Sequence, residues 1–488
     1  MKNVKAVGFA LLILSFYGAG CGKKASTQSP PVTPPADTTK PVVVVGAPVA
    51  FWLTNPDKSA LFQQQSGALN FVSGTAATPV ITVDSTSTYQ TIDGFGYALT
   101  GGSAQLIYSL PATQRAALEQ ELFGTDSSHL GVSYLRVSMG ASDMSASVFS
   151  YDDNATPAHP DTLLTQFDLG SDKTYLIPLL KEILAINPAI KILATPWSAP
   201  LWMKSNGDSV AGSLLPQYFG VYANYFVKYI QAMKANGIAI DAITPQNEPL
   251  NPNNNPSMVM QDTTEERFVR DWLGPAFKTA NITTKIIIYD HNCDMPFYPI
   301  TILADANAAQ YVDGSAFHLY AGDISALQTV HNSYPNKNVY FTEQYVAGPG
   351  NFSGDLEWHM KNLIIGASRN WSRNVLEWNL AADANYGPHT VGGCSTCQGA
   401  VTISGTAVSR NTSYYIIAHA SKFVRPGSVR INSGIVGNLQ NVAFMTPQGT
   451  KVLIVLNDGG VSQTFTVQFN GKYFSTTLNA KAVGTYVW

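Results

Sequence analysis

The sequence predicts an α/β chain: a (β/α)8 TIM barrel with a side β-sandwich formed from both chain ends. Three observations lead there. Eight short apolar runs lie at 94–97, 134–138, 191–197, 242–248, 285–289, 314–320, 339–343 and 374–379. Amphipathic helical patterns separate them, as at 173–186 and 215–235. Outside this region the rhythm changes to short strands divided by turn residues, at 50–53 and 79–83, then at 442–444, 452–457, 464–467 and 484–488.

At the N-terminus, Lys2 and Lys5 precede an apolar run at 7–17 and then Gly18-Ala19-Gly20-Cys21. That run is well short of the roughly 20 residues a spanning helix needs, so it reads as an export signal. Small residues directly before a cysteine are similar to a bacterial lipoprotein signal, with Cys21 as the lipidated new N-terminus. Plain cleavage nearby, leaving Cys21 free, is the other reading. Residues 22–47 are rich in Ser, Thr and Pro and lack the apolar content for a core, so they form a tether. The expected organisation is a signal at 1–21, the tether at 22–47, N-terminal sandwich strands at 48–90, the barrel at 91–425 and C-terminal sandwich strands at 426–488. This places the protein outside the cytoplasm, lipid-anchored to the cell envelope.

A net charge of −3 and a charged fraction of 12% leave no basic footprint for nucleic acid, and the lipid is the one membrane contact expected. Nothing in the sequence specifies an oligomeric state. Cys293 stands alone and reads as a small buried hydrophobe. Cys394 and Cys397 lie in Gly-Cys-Ser-Thr-Cys-Gln-Gly, too few ligands for a structural zinc. The glycines around them suggest a loop rather than the helix start of a redox motif. In an exported chain a local disulfide is expected.

The chemistry collects where the runs end, because a barrel opens its site at the C-terminal ends of its strands. Asp143 follows the second run, Trp197 ends the third, and Asn247 and Glu248 end the fourth. His318 and Tyr320 end the sixth, Glu343 the seventh, and Trp378 and Asn379 the eighth. A polar, aromatic cup with two glutamates suits glycoside cleavage: one carboxylic acid protonates the leaving oxygen, while the other carboxylate attacks or activates water. Taken singly, each residue has a plainer reading. The tryptophans could be core plugs, Asp143 a helix cap, His318 a structural imidazole, and the glutamates members of ion pairs.

Several motifs together resemble glycoside hydrolase family 30, which includes glucosylceramidase-like and endo-β-1,6-glucanase-like enzymes. They are Ile92-Asp93-Gly94-Phe95-Gly96, Thr195-Pro196-Trp197-Ser198-Ala199-Pro200, Asn247-Glu248-Pro249, Phe317-His318-Leu319-Tyr320, Phe341-Thr342-Glu343 and Ser421-Lys422-Phe423-Val424-Arg425-Pro426-Gly427. The likeness runs from about residue 50 to the end. It implies a retaining β-glycosidase with Glu248 as acid/base and Glu343 as nucleophile. Asp143, Trp197, Asn247, Trp378 and Asn379 would line the glycone subsite, with His318 orienting a carboxylate or sugar hydroxyl. No metal or organic cofactor is expected. The partner would be a β-linked glycan or glucoside: a β-1,6-glucan, a glucosyl lipid or a small glucoside, with β-xylan, β-fucosides or an inactive carbohydrate-binding protein as alternatives. The Cys394–Cys397 loop stands outside the human-type glucosylceramidase pattern, so it is expected to shape the aglycone side. Glu343 should be ionised and Glu248 protonated near neutral pH, the latter through burial and the neighbouring charge.

Overall fold

Eight parallel strands close on themselves in chain order: Gly94–Ala98, Tyr134–Ser138, Lys191–Thr195, Ala242–Ile243, Lys285–Cys293, Val312–Gly322, Asn338–Glu343 and Ser372–Asn379. The computed structural model describes residues 48–67 and 69–488. The export segment, Cys21 and the tether lie outside the described residues. Side chains alternate along a strand, and the inward set fills the lumen with Tyr134, Leu193, Ala242, Ile287, Ala316, Tyr340 and Leu376. Full burial of each larger member contributes about 1.5–3 kcal/mol. The first strand adds none to this layer. Its Gly96 lies opposite Tyr134, where a Cβ would fall 1.8 Å from the Tyr134 carbonyl oxygen. Those glycines run against strand propensity, and close strand approach is the reason for one of them.

The outer ring is amphipathic as the spacing predicts. Helix Phe219–Ala235 turns Tyr222, Tyr225, Phe226, Tyr229 and Met233 inward at three- and four-residue intervals. It starts later than 215, after a 3-10 turn at Pro216–Tyr218, and Leu176–Ile186 likewise follows a 3-10 turn at Gly170–Lys173.

Two of the differences from expectation, in the fourth and fifth strands, serve the mouth of the barrel. The fourth ladder stops at Ile243 instead of running to 248. Pro245 has no N–H to donate, and the chain beyond it hangs from single bonds: Asn247 N–H to the Pro196 carbonyl at 2.8 Å and Glu248 N–H to the Asp290 carbonyl at 3.0 Å. Glu248 sits at φ 42°. The fifth strand continues past 289 to Cys293, with a register break between Ala316 and Phe317 on its partner. Tyr289 and Asp290 are both left-handed there (φ 77° and 57°), a bulge that re-aims the Asp290 carboxylate into the lumen.

Both chain ends build the sandwich. Pro48–Thr54 runs antiparallel to Val483–Val487, and Val80–Thr91 pairs with both Val429–Ser433 and Gln463–Phe469. The core between the faces holds Ile81, Val83, Leu453, Val455, Phe465, Phe474 and Tyr486. His419, in helix Thr412–Ser421, ties this domain to the barrel: one ring nitrogen meets the Thr54 hydroxyl and the other the Thr485 hydroxyl, each at 2.8 Å. Burial pushes its pKa down to about 3, so the imidazole is neutral. Two small sheets decorate the mouth, Val346–Ala347 with Cys397–Gln398, and Ala381–Ala382 with Val401–Ser404 and Ala407–Arg410.

Candidate active site

A buried arginine and a buried aspartate, Arg136 and Asp290, hold the mouth of the barrel together, and neither was singled out from the sequence. Arg136 rises from the second strand with its side chain wholly buried. Its Nη1 donates to Glu343 Oε2 at 2.5 Å, and its Nη2 donates to Asn247 Oδ1 at 2.7 Å and Asp290 Oδ2 at 2.8 Å. Its guanidinium lies 4.8 Å from the Trp197 ring and 5.7 Å from the Trp378 ring. A planar fork can satisfy three acceptors and still stack, which a lysine cannot. Asp290 accepts from Arg136, from Thr244 and Thr342 hydroxyls at 2.8 and 2.6 Å, and meets His318 Nε2 at 3.1 Å.

His318 is fully buried beneath both glutamates. Its Nδ1 lies 3.1 Å from Glu248 Oε1 and 3.8 Å from Glu343 Oε1. Burial opposes a charge on the ring, but Glu343, Asp290 and Glu248 outweigh it and raise the pKa to about 9. With a carboxylate at each nitrogen, His318 is an imidazolium at neutral pH. Donor atoms of Glu248, His318 and Glu343 all fall within 4.8 Å of one another. Such a convergence could hold a cation, but here the imidazolium and Arg136 already supply the positive charge.

The two glutamates have different surroundings. Glu248 Oε2 accepts from the Asn251 and Asn254 amides at 2.7 and 3.2 Å. Burial pushes its carboxyl up, yet His318, His291 and Asn251 prevail and hold it at about 2. These partners favour the ionised form of Glu248, opposing the burial and neighbouring charge that were expected to keep it protonated; the donors on the 251–254 turn were not visible as its partners. For Glu343, burial raises the pKa against the pull of His318 and Arg136. Arg136 and the Tyr320 hydroxyl, at 2.5 and 2.9 Å, both donate to its ionised form.

The cup has a volume of about 250 Å³, room for one sugar ring, and its floor is Glu248 and Glu343. Trp197 and Trp378 meet at a centroid distance of 5.4 Å and form one wall with Asp143. Tyr320 and Tyr345 also line the cup, with centroids 5.5 Å apart, and Tyr345 packs against the tryptophan cluster. Burial, with the Glu343 and Glu248 charges, pushes Asp143 up to about 7. Cys394 and Cys397 are bonded (S–S 2.06 Å). Their loop sits against the tryptophan wall, lines the cup and donates the Cys394 N–H to Asp143 Oδ2 at 3.3 Å. Asn379 does not line the cup. Trp378 and Asn379 are adjacent on one strand and must face opposite ways, so Asn379 turns outward to accept from Thr100 and Ser103 at 3.0 and 2.7 Å. Asn247 stays buried beneath the floor, bound to Arg136.

Some of these omissions had a signal. Arg136 is a charge in the middle of an apolar strand, and Asp290 is one residue past the fifth run, where the strand-end rule applies equally. Asn251 and Asn254 sit in an asparagine-rich turn that carries no periodicity.

Comparison with known proteins extends across both domains. The Glycosyl hydrolase family 30 TIM-barrel domain matches residues 92–424, and the Glycosyl hydrolase family 30 beta sandwich domain matches 427–486. The chain is 36% identical over 444 residues to endo-1,6-beta-D-glucanase neg1 of Aspergillus fumigatus, covering 85% of this chain and 88% of that one. It is 29% identical over 442 residues to the lysosomal acid glucosylceramidase of Mus musculus, covering 84% and 83%. Among solved structures, the endo-beta1,6-glucanase BT3312 superposes with a TM-score of 0.84 at 37% identity, covering 90% of this chain and 99% of that one.

Arg136→Met should leave Asp290 and Glu343 as buried anions short of a partner, and so lower the unfolding free energy by about 3–5 kcal/mol. Urea unfolding at pH 7 measures this. A midpoint equal to that of the wild type would show that the arginine is not holding the floor together.

Proposed function

The chain belongs to glycosyl hydrolase family 30 and is a β-glycoside hydrolase, and from that premise we propose that it cleaves β-1,6-glucan internally by a retaining double displacement. One observation carries the mechanism: carboxylate oxygens of Glu248 and Glu343 lie within 4.8 Å. Retaining pairs are about 5–5.5 Å apart, whereas inverting pairs stand about 6.5–9.5 Å apart to admit water. The substrate rests on the comparisons, in which proteins named endo-1,6-glucanases stand at 36–37% identity and the mouse glucosylceramidase at 29%.

In this reading Glu343 is the nucleophile. Arg136 and Tyr320 donate to its carboxylate against the effect of burial and fix its direction. Glu248 is the acid, and its proton is stored next door. An imidazolium beside a carboxylate carries the same number of protons as an imidazole beside a carboxylic acid. Transfer along the 3.1 Å contact from His318 Nδ1 to Glu248 Oε1, followed by rotation of the carboxyl about Cγ–Cδ to turn the protonated oxygen toward the leaving group, arms the acid without uptake from solvent. Arrival of the glycosidic oxygen where the Asn251 and Asn254 amides now meet the carboxylate removes donors that stabilise the anion and favours that transfer. After attack on the anomeric carbon, Glu248 deprotonates the incoming water and the proton returns to the pair. Trp197, Trp378 and Asp143 wall the glycone.

Export and anchoring belong to the proposal too. Gly18-Ala19-Gly20-Cys21 supports a lipid on Cys21, with residues 22–47 as the stalk. Cys21→Ser should move the protein from the membrane to the soluble fraction and remove the lipid mass from the mature N-terminal peptide. An unchanged distribution and peptide mass would refute the anchor.

The glutamates should fail in different ways. Glu343→Gln should lose hydrolysis of every β-glucoside by roughly 10⁴-fold or more. Glu248→Gln should still form the glycosyl-enzyme from an activated aryl glucoside, giving a burst and then a stall. Azide should speed that variant and yield a β-glycosyl azide. Rescue of Glu343→Gln instead, to an α-azide, would reverse the two roles, and an α-configured first product from wild type would remove the retaining mechanism.

A further inference from the structure

Beside the cup, the loops after the second, third and fourth barrel strands enclose a second and larger hollow of about 450 Å³. The two spaces share their walls. Trp197 lines the cup while Ser198 and Ala199 line the hollow; Asp143 lines the cup while Ala141 lines the hollow; Asn254 and Pro256 divide in the same way. Consecutive Cα atoms are about 3.8 Å apart, so at Trp197–Ser198 a single thickness of chain separates them, and at the other two places one intervening residue does. The turn at 254–256 is pinned there by the Ser209 hydroxyl, which donates to Asn255 Oδ1 at 2.8 Å.

The lining mixes hydrocarbon with hydroxyls. Leu201, 37% exposed, and Phe149 line it together with Ser150, Thr156 and Asp153, whose carboxylate accepts from the Ser150 N–H and hydroxyl. Trp202 forms the back, its indole N–H tied to the Asp152 carbonyl at 3.1 Å. Pyranose rings present C–H faces edged with hydroxyls, which suits such a surface, and the volume exceeds that of the one-ring cup.

We propose that this hollow binds the glucosyl residues that precede the scissile one, on the glycone side of a β-1,6-glucan. The proposal rests on the glucanase reading above. The side follows from the shared wall, which carries Asp143 and Trp197, the glycone contacts of that reading. The linkage matters as well. A 1,6 bond adds a rotatable C5–C6 bond between rings, so the chain can turn over the Trp197–Ser198 rim within one residue. Contacts in the hollow are remote from the reacting bond, and their binding energy appears in kcat/KM as the chain grows.

The test uses aryl β-glycosides with one to four β-1,6-linked glucosyl residues, alongside matching β-1,3 and β-1,4 series. The aglycone stays constant, so only glycone contacts change. Wild type should gain roughly tenfold or more in kcat/KM between one and three β-1,6 units. Leu201→Arg and Thr156→Arg, two separate ways of filling the hollow, should keep the monoglucoside rate within about twofold, which also reports intact folding, while losing the gain with length. A wild type indifferent to length would overturn the proposal, as would variants that keep the full gain. A length dependence confined to the β-1,3 or β-1,4 series, and abolished by the same variants, would instead refute the β-1,6 reading while supporting the hollow as a glycone site.

Discussion

Asp290 is a carboxylate with no exposed surface, and a buried anion is tolerated only where cations and hydrogen bonds surround it. Here burial, which would neutralise it, is outweighed by Arg136 and His318, and its pKa falls well below the usual carboxylate range. Each of those cations then reaches a glutamate: Arg136 binds Glu343, and His318 binds Glu248. One buried aspartate therefore holds the two cations that meet both carboxylates of the site. The two left-handed residues at 289 and 290 are the local backbone cost, offset by the four partners the bulge gives Asp290.

The floor of the cup is rigid because these bonds are mutually dependent. Arg136 satisfies three acceptors at once, so no single acceptor can move without leaving it short. The walls come from longer loops, which carry the differences a family can vary. The disulfide loop leans on Asp143 from one side, and the 254–256 turn separates the cup from the neighbouring hollow. Such a division places chemistry on strand ends and substrate selection on loops.

Much of this was legible in the sequence because strand ends obey a simple rule. Eight runs in a barrel deliver their last residues to one mouth, and that rule alone brings Glu248, His318, Tyr320, Glu343, Trp197 and Trp378 together. It fails where the backbone departs from a regular strand. Alternation was not applied at Trp378 and Asn379, so one side chain too many was aimed inward. The bulge hid Asp290, and the groups that lower the Glu248 pKa are His318 first, then His291 and the Asn251 amide of an aperiodic turn. Burial was visible from sequence, whereas the identity of the buried partners was not, and the partners decide the sign of a pKa shift.

The central claim is that Asp290 maintains the proton that Glu248 uses, through His318. The pH dependence of kcat/KM for Asp290→Asn, measured on an activated aryl glucoside, tests it directly. In wild type the pair holds its proton until pH passes the His318 value of about 9, so activity should fall on the alkaline side near there. Removing the Asp290 charge removes one of the carboxylates that raise His318, so the alkaline limb should move to lower pH by about one unit or more. A variant whose activity is reduced but whose alkaline limb stays at the wild-type pH would contradict the claim.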